Sequence, residues 1–169
     1  MRKKSDDKMN LMQKTLVLLK PDAVQRSLVG NIITRFENAG LKIIGMKMVW
    51  IDEEFSKKHY SAHVSKKFYP GLEKFITQGP VIAMVLEGIK AIEIVRKMVG
   101  STEPSKALPG TIRGDFAHHG YEYADAKGMA VKNLIHASDS EESAKKEIEL
   151  WFNKRELHSY KTVHEMHVF

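Results

Sequence analysis

Cysteine is absent from the 169 residues of this chain. A disulfide framework, a thiolate nucleophile and a thiolate metal site are therefore excluded, and the composition suits a reducing compartment. Long apolar runs are absent as well, since no stretch approaches the roughly 20 residues that span a bilayer. The apolar residues 15–19 are too few for the core of a signal peptide. We therefore expect a cytoplasmic protein without a membrane partner.

Glycine-rich phosphate loops are also missing. Neither a Walker A motif nor a G-x-G-x-x-G turn opens a helix, so side chains must hold any bound phosphate. The net charge of +6 is concentrated near the N-terminus, where residues 1–14 carry five Lys/Arg and two Asp. We expect residues 1–13 to form a flexible basic tail. A nucleic acid is therefore not expected as the main partner, whereas local basic residues are available to bind a small polyanion.

Hydrophobic periodicity predicts one domain over residues 14–153 and a C-terminal arm over residues 154–169. Near-continuous apolar runs predict buried strands, and apolar residues at helical spacing predict helices. The predicted strands cover 15–20, 41–51, 81–86 and 133–137; the predicted helices cover 28–39, 53–63, 72–77 and 92–99, and a last helix follows a capping box at 138–141. Regular periodicity fades between 101 and 132.

The order of these elements is the βαββαβ pattern of a ferredoxin-like fold. We therefore predict an α/β (α+β) fold: an antiparallel sheet with an added helical hairpin and an inserted loop. This topology hosts many unrelated activities, so it does not identify a function.

Four residues interrupt the local patterns. Lys20 ends a buried strand, Arg113 lies in a glycine-flanked loop, His136 closes an apolar strand, and Glu147 falls on the apolar side of the last helix. Each has a common structural explanation when taken singly: a surface lysine, an arginine paired with a carboxylate, a core histidine, or an acid at the rim of an apolar face.

Together, these residues suggest chemistry centred on a histidine. A helix that returns along the last strand can bring Glu147 to His136, and an inward-facing carboxylate needs such a partner. An acid bonded to one ring nitrogen leaves the other as a nucleophile. Lys20, Arg96 and Arg113 are then candidates to neutralise phosphates. From the residues alone, phosphoryl transfer through a histidine is plausible and the substrate stays open.

Three segments sharpen this interpretation: residues 20–26 (KPDAVQR), 109–116 (PGTIRGDF) and 133–140 (NLIHASDS), with Glu147 at a matching helix position. In this order and spacing they resemble the nucleoside diphosphate kinase family, over about residues 14–153. The resemblance implies a ping-pong reaction in which His136 takes the γ-phosphoryl group of ATP or another nucleoside triphosphate and passes it to a nucleoside diphosphate, with broad base specificity.

The resemblance also implies roles for the surrounding side chains. Lys20 and Asn133 would contact the ribose, with Lys20 also near the transferred phosphate. Tyr60 would position the histidine and the nucleotide, and Ser138 would support the acid–histidine pair. The remaining nucleotide contacts that it implies are Arg96, Thr102 and Arg113 to the phosphates, Phe68 stacked on the base, and Leu72 in the same cleft. Mg²⁺ would arrive with the nucleotide, with Asp139 as a ligand through water. Family members are usually hexamers and sometimes tetramers, with subunit contacts near residues 29–36 and Pro109.

Two departures separate this chain from the family pattern. Ala137 occupies a position where many members have glycine. In addition, 16 residues lie between Phe116 and Asn133, about ten more than usual. This insertion, about residues 117–132, enters near the segment that covers the second side of the base in typical members. Its His118-His119 pair suggests a metal site, but adjacent rings seldom share an ion, and we favour a surface loop.

Two other functions remain as alternatives. One is a histidine phosphotransferase that acts on proteins through the same His136, which would show little turnover of free diphosphates. The other is a ferredoxin-like module that binds nucleotides or nucleic acids. Such a module would keep its ligand affinity in His136→Ala, and a nucleic-acid binder would show a steep salt dependence.

Overall fold

The computed structural model describes residues 11–163 and 165–168, so most of the predicted basic tail lies outside the described residues. The described elements are, in order, β1 (Met12–Leu19), α1 (Pro21–Gln25), α2 (Val29–Asn38), β2 (Lys42–Val49), α3 (Glu53–His59), α4 (Tyr69–Thr77), β3 (Val81–Ile89), α5 (Ala91–Val99), α6 (Ile112–Phe116), α7 (Tyr121–Ala126), β4 (Ile135–Ala137), α8 (Glu141–Trp151) and α9 (Glu165–Val168). Within this part of the chain, no helix is both long and apolar enough to cross a membrane.

The four strands form one sheet in the order β2-β3-β1-β4, and every neighbouring pair is antiparallel. This arrangement confirms the predicted ferredoxin-like fold. The central strands β1 and β3 are apolar almost throughout because helices cover both faces of the sheet. On one face Val17 and Met84 belong to a cluster with residues of α2 and α5. On the other face Leu18 and Val85 pack with residues of α4 and α8.

The start of β4 differs from the prediction. The strand covers only Ile135–Ala137 rather than 133–137, because Leu134 has a left-handed backbone with φ of 67°. Its carbonyl accepts the backbone N–H of Lys20 at 2.8 Å. Its own N–H donates to the Asp22 carboxylate at 3.0 Å. Two tertiary bonds therefore hold a conformation that a leucine rarely adopts.

The cap of α8 also differs. Ser140, not Ser138, is the N-cap, and its hydroxyl accepts the Ser143 N–H at 3.1 Å. The predicted capping box at 138–141 is therefore wrong. The reason is that the Ser138 hydroxyl donates to Glu147 instead.

The C-terminal arm packs on the edge of its own chain's sheet. His158 donates its N–H to the Ile44 carbonyl at 2.7 Å, and the Tyr160 hydroxyl donates to the Ile43 carbonyl at 2.6 Å. Gly45 permits this approach, since a Cβ there would lie 2.8 Å from Leu157. The arm thus covers the first half of the outer edge of β2.

Candidate active site

A hydrogen-bonded histidine, acid and serine lie where β4 meets α8. His136 is the central residue of β4 and pairs with Leu18 of β1. Its Nε2 lies 3.0 and 3.1 Å from the two carboxylate oxygens of Glu147. The Ser138 hydroxyl donates to the same carboxylate at 2.6 Å. The turn of α8 back along the sheet brings Glu147 to the histidine, as its sequence position suggested.

This geometry determines the tautomer of His136. A carboxylate only accepts hydrogen bonds, so Nε2 carries the ring proton. In the neutral ring, Nδ1 is then unprotonated and keeps its lone pair. The hydrogen bond from Ser138 gives the acid a second partner, and this prevents Glu147 from turning away. The arrangement therefore presents Nδ1 as a nucleophile.

Lys20 and Asn133 form a buried polar pair beside the histidine strand. The Lys20 ammonium donates to the Asn133 side-chain oxygen at 2.7 Å, and the Asn133 amide donates to the Thr102 carbonyl at 2.9 Å. Both side chains are less than a tenth exposed. Burial, reinforced by the nearby Arg113 charge, lowers the pKa of Lys20 to about 8. The site therefore holds a lysine that is mostly charged in neutral solution and loses its proton in mildly alkaline solution.

Arg113 ties the strand to the preceding loops. Its guanidinium donates to the carbonyls of Asn133 at 3.0 Å, Gly100 at 3.0 Å and Ile135 at 2.6 Å. The predicted structural partner of this arginine was a carboxylate, whereas the structure supplies three carbonyls. Burial and the Arg96 charge lower the pKa of Arg113 to about 10, so it stays charged in neutral solution. Two of its five N–H groups are left for a ligand.

Arg96 and Asp139 lie on the other side of β4. The Arg96 guanidinium is 3.4 Å from the carbonyl of Ala137, the residue after His136. Arg96 and Asp139 both line an open cavity of about 560 Å³. Hydrogen bonds from Ser143 and Ser140, and more weakly the Arg96 charge, lower the pKa of Asp139. Its carboxylate is therefore ionised in neutral solution.

A second cavity, of about 600 Å³, gathers most of the remaining predicted residues. Its predicted members are Lys20, Tyr60, Phe68, Leu72, Thr102 and Asn133. Phe68 is 58% exposed, and its ring centroid lies 5.7 Å from that of His63. The Tyr60 hydroxyl is buried and has no hydrogen-bond partner among the described residues, although its ring lies 6.5 Å from that of His136. A cavity of this size suits a nucleotide-sized ligand.

Comparison with known proteins decides the family. The model of the nucleoside diphosphate kinase family matches residues 13–157. The chain is 53% identical over 152 residues to the nucleoside diphosphate kinase of Pyrococcus furiosus, which covers 90% of each chain. It is 55% identical over 152 residues to that of Pyrococcus horikoshii, with 90% of this chain and 92% of the relative covered. The chain belongs to the nucleoside diphosphate kinase family.

Two solved structures support the same assignment for this kinase. A nucleoside diphosphate kinase from Borrelia burgdorferi, a transition-state mimic with bound vanadate and ADP, has a TM-score of 0.90 and 45% identity, covering 94% of this chain and 97% of that one. A halophilic kinase from Halobacterium salinarum in complex with CDP has a TM-score of 0.82 and 42% identity, covering 93% and 98%. The chain is therefore a phosphotransferase acting on nucleotides.

Sequence reasoning did not single out Asp22 of this kinase. Its carboxylate is buried, and burial raises its pKa while the Lys20 charge opposes the rise. It accepts the N–H of Leu134, two residues before His136. The sequence did offer a signal for Asp22, which directly follows a buried strand and a proline. An acid at such a position is expected to be buried, and a buried carboxylate must have a partner.

His59 was missed as well. Its Nδ1 accepts the indole N–H of Trp151 at 3.1 Å, and its ring centroid lies 4.8 Å from that of His136. Burial lowers the pKa of His59 well below its usual value, so the ring is neutral. The signal was Trp151 itself, since a buried indole N–H needs an acceptor.

One group of possible metal ligands occurs within the described residues: His59, His136 and Glu147, whose ligand atoms lie within 4.8 Å of one another. Nitrogen donors suit zinc rather than magnesium. The buried Nε2 of His59 has no partner among the described residues. The Nδ1 of His59 is already bonded to Trp151, however, and His136 and Glu147 are bonded to each other. We therefore describe the group as a hydrogen-bonded network. In the insertion, His119 Nδ1 accepts the Lys132 N–H at 3.1 Å and so helps to shape the loop.

Proposed function

We propose that this kinase works by a ping-pong mechanism through a phosphohistidine at His136. Nδ1 attacks the γ-phosphorus of a nucleoside triphosphate, an N–P bond forms, and the bond from phosphorus to the β–γ bridging oxygen breaks. The diphosphate leaves with the electron pair of that bond. A terminal oxygen of a second diphosphate then attacks the phosphohistidine, and the N–P bond breaks. The observation that carries this proposal is the bond from Nε2 to Glu147, which leaves Nδ1 unprotonated.

Fixed positive charge supports the transfer of a phosphoryl group at this position. Lys20, Arg96 and Arg113 are the proposed phosphate ligands, and all three lie next to β4 or bond to its carbonyls. Thr102 is proposed to join them. Because the cations are already held in place, little reorganisation is needed as charge moves in the transition state.

The second cavity is the proposed nucleoside site. Lys20 and Asn133 are proposed to bind the ribose hydroxyls, and the unpartnered hydroxyl of Tyr60 to bond to the bound nucleotide near the histidine. Phe68 would stack on the base while Leu72 lines the cleft. Stacking on an aromatic ring tolerates any base, so we propose broad base specificity.

We propose that Mg²⁺ enters with the nucleotide. The donor chemistry fits, because Asp139 is an exposed, ionised carboxylate beside Arg96 and would act through water, while phosphate oxygens provide most of the ligands. When bound, the ion neutralises phosphate charge. The direct contacts to the reacting group come from the side chains already named.

We further propose a homo-oligomer, with a hexamer favoured over a tetramer. Met46, Met48 and Trp50 form an exposed apolar row along the edge strand β2 and just beyond it, each more than half exposed. Leu108, beside Pro109, is 74% exposed. Apolar surface at a sheet edge is typical of a subunit contact. The proposed domain covers residues 14–153, and the lack of cysteine fits the proposed cytoplasmic location.

Intact-protein mass spectrometry in neutral or alkaline solution tests the mechanism. After mixing with ATP and magnesium, the protein should gain one phosphoryl group. A chase with GDP should remove this group as GTP appears, and His136→Ala should gain none. Binding of ATP without an adduct and without GTP would overturn the mechanism and favour a binding module. An adduct that transfers only to proteins would favour the protein-directed phosphotransferase.

A further inference from the structure

The nucleoside cavity has a second wall, which consists of the inserted residues 117–132. From this wall Tyr121, Asp125, Met129 and Val131 line the cavity that Phe68 lines from the other side. The family motifs that carry the proposed mechanism lie outside this segment. Whatever the insertion adds to the site is therefore particular to chains that have it.

The insertion is firmly attached to the domain. The buried carboxylate of Glu103 accepts the N–H of Tyr121 at 3.0 Å at the start of α7. The N–H of Met129 donates to the Ala124 carbonyl at 3.0 Å, which turns the chain back after the helix. Across the cavity, a Cβ on Gly71 of α4 would lie 3.6 Å from the backbone nitrogen of Ala130. The second wall therefore stands in contact with the helix that follows Phe68.

Among the residues that the structure describes, Asp125 is the one acidic side chain that lines this cavity. It is exposed, and it has no hydrogen bond or ion pair through its carboxylate within the described chain. It lies in the last turn of α7, where a negative charge is unfavourable because of the helix dipole. Local stability therefore does not explain a carboxylate at this position, whereas a ligand in the cavity can.

The base is the part of a nucleotide that would meet Asp125. This step rests on the proposed function, in which the phosphates lie at His136 and Arg113 and the ribose at Lys20. The base then occupies the other end of the cavity, between Phe68 and the insertion.

A carboxylate accepts hydrogen bonds and donates none. Guanine offers it two adjacent donors, N1–H and the 2-amino group. Adenine and cytosine offer one amino group beside an acceptor nitrogen, and uracil and thymine offer one N–H between two carbonyls. We propose that Asp125 gives this kinase a graded preference for guanine nucleotides, superimposed on the broad acceptance that stacking provides.

Competition between acceptors measures this preference directly. Enzyme phosphorylated with ATP and freed of nucleotide is mixed with equal amounts of GDP and UDP, and the ratio of GTP to UTP is measured by chromatography. We expect a ratio of about 10 for the wild type, as for one or two partly exposed hydrogen bonds to a charged group. Asp125→Asn should lower it to about 2. A second competition, GDP against IDP, removes only the 2-amino group and should show a smaller preference, which Asp125→Asn should also lower because its amide keeps one acceptor oxygen but no charge.

Glu122→Gln is the matched control. Glu122 also lies on α7, and this variant loses the same charge, but Glu122 does not line the cavity. The product ratios of Glu122→Gln in both competitions should therefore equal those of the wild type. Unchanged ratios in Asp125→Asn would overturn the proposal. An equal slowing for all acceptors would overturn it too, and would indicate that Asp125 closes the cleft, for example against Lys67. Failure of every acceptor would instead refute the proposed kinase mechanism, and the preference with it.

Discussion

At the scale of single residues, the hydrogen bond between His136 and Glu147 decides which ring nitrogen can react. The acid does not touch the phosphoryl group in the proposed mechanism, so it is a positioning residue. Its contribution is to hold the proton on Nε2 and the ring in one orientation. Ser138 contributes a second hydrogen bond to the same carboxylate, through the oxygen that lies 3.1 Å from Nε2.

Replacement of Glu147 should therefore impair chemistry and not binding. For Glu147→Ala we expect the rate constant of His136 phosphorylation to fall roughly 10- to 100-fold, by analogy with the loss of a carboxylate that orients a metal-bound histidine. The Kd for ADP should stay within about twofold. Stopped-flow or quenched-flow phosphorylation measures the first quantity and calorimetry the second. Glu149→Gln, an exposed acid on the same helix, is the control. A normal rate constant in Glu147→Ala would refute the positioning role.

The burial that lowers the pKa of Lys20 also lowers the stability of the fold at neutral pH. The folded protein binds this proton less tightly than the unfolded chain, because the pKa is about 8 rather than 10.5. The corresponding stability is present above pH 10.5 and is lost as the pH falls through about 8, so the charged, buried lysine costs about 3 kcal/mol at neutral pH. In return, the ammonium is available to a phosphate.

The pH dependence of activity should reveal this lysine. As the pH rises through about 8, the free enzyme loses the Lys20 charge, so kcat/KM should fall. The measurement is a pH profile of kcat/KM for ADP between pH 6 and 10 in buffers of constant ionic strength. Lys20→Arg should be less active at neutral pH, because the geometry differs, but should lack this alkaline fall. A wild-type profile that stays flat to pH 10 would contradict the assignment.

At the scale of elements, the strands and the helices that pack on them could be predicted from the sequence, because their signals are local. β1 and β3 have continuous apolar runs, and α5 has Ile92, Val95 and Val99 at helical spacing. The start of β4 could not be predicted, because the left-handed backbone of Leu134 depends on partners more than 110 residues away. α7 was missed because it is short and has a single buried side chain.

The Asp22 bond to Leu134 should therefore stabilise the start of β4. In Asp22→Ala the Leu134 N–H would lose its partner while the left-handed backbone keeps its strain, and we expect the free energy of unfolding to fall by about 2 kcal/mol. Asp22→Asn keeps an acceptor oxygen and should lose less than half of that. Urea denaturation followed by tryptophan fluorescence measures both. Equal losses in the two variants would show that the charge matters and the hydrogen bond does not.

Some residues of the candidate site could be predicted from the sequence, and others could not. His136, Glu147, Lys20 and Arg113 stood out because each broke an apolar or glycine-rich pattern, and the structure brings them to one edge of the sheet. The insertion 117–132 stood out by its length, but Asp22 and Asp125 themselves did not. Their relevance depends on which distant segment faces them, and no local pattern encodes that.

At the scale of the whole molecule, residues 11–163 and 165–168 cover one edge of the sheet only in part. The C-terminal arm bonds to Ile43 and Ile44 at the start of β2. Further along the strand, Met46 and Met48 stay more than half exposed. An uncovered apolar strand edge promotes uncontrolled association. A second subunit seated there would bury this surface, and the partial cover by the arm would limit where it can bind.

Light scattering coupled to size-exclusion chromatography tests this arrangement. The wild type should elute with about six times the 19.3 kDa mass of one chain. In Met46→Glu/Met48→Glu, two charges would enter the buried contact without partners, and because such burial is very costly the mass should fall below that of the hexamer. Val64→Glu is the control, since Val64 is exposed but lies outside β2, and its mass should stay that of the wild type. A wild-type monomer at micromolar concentration, or an unchanged mass in the double variant, would show that the apolar row on β2 is not a subunit contact.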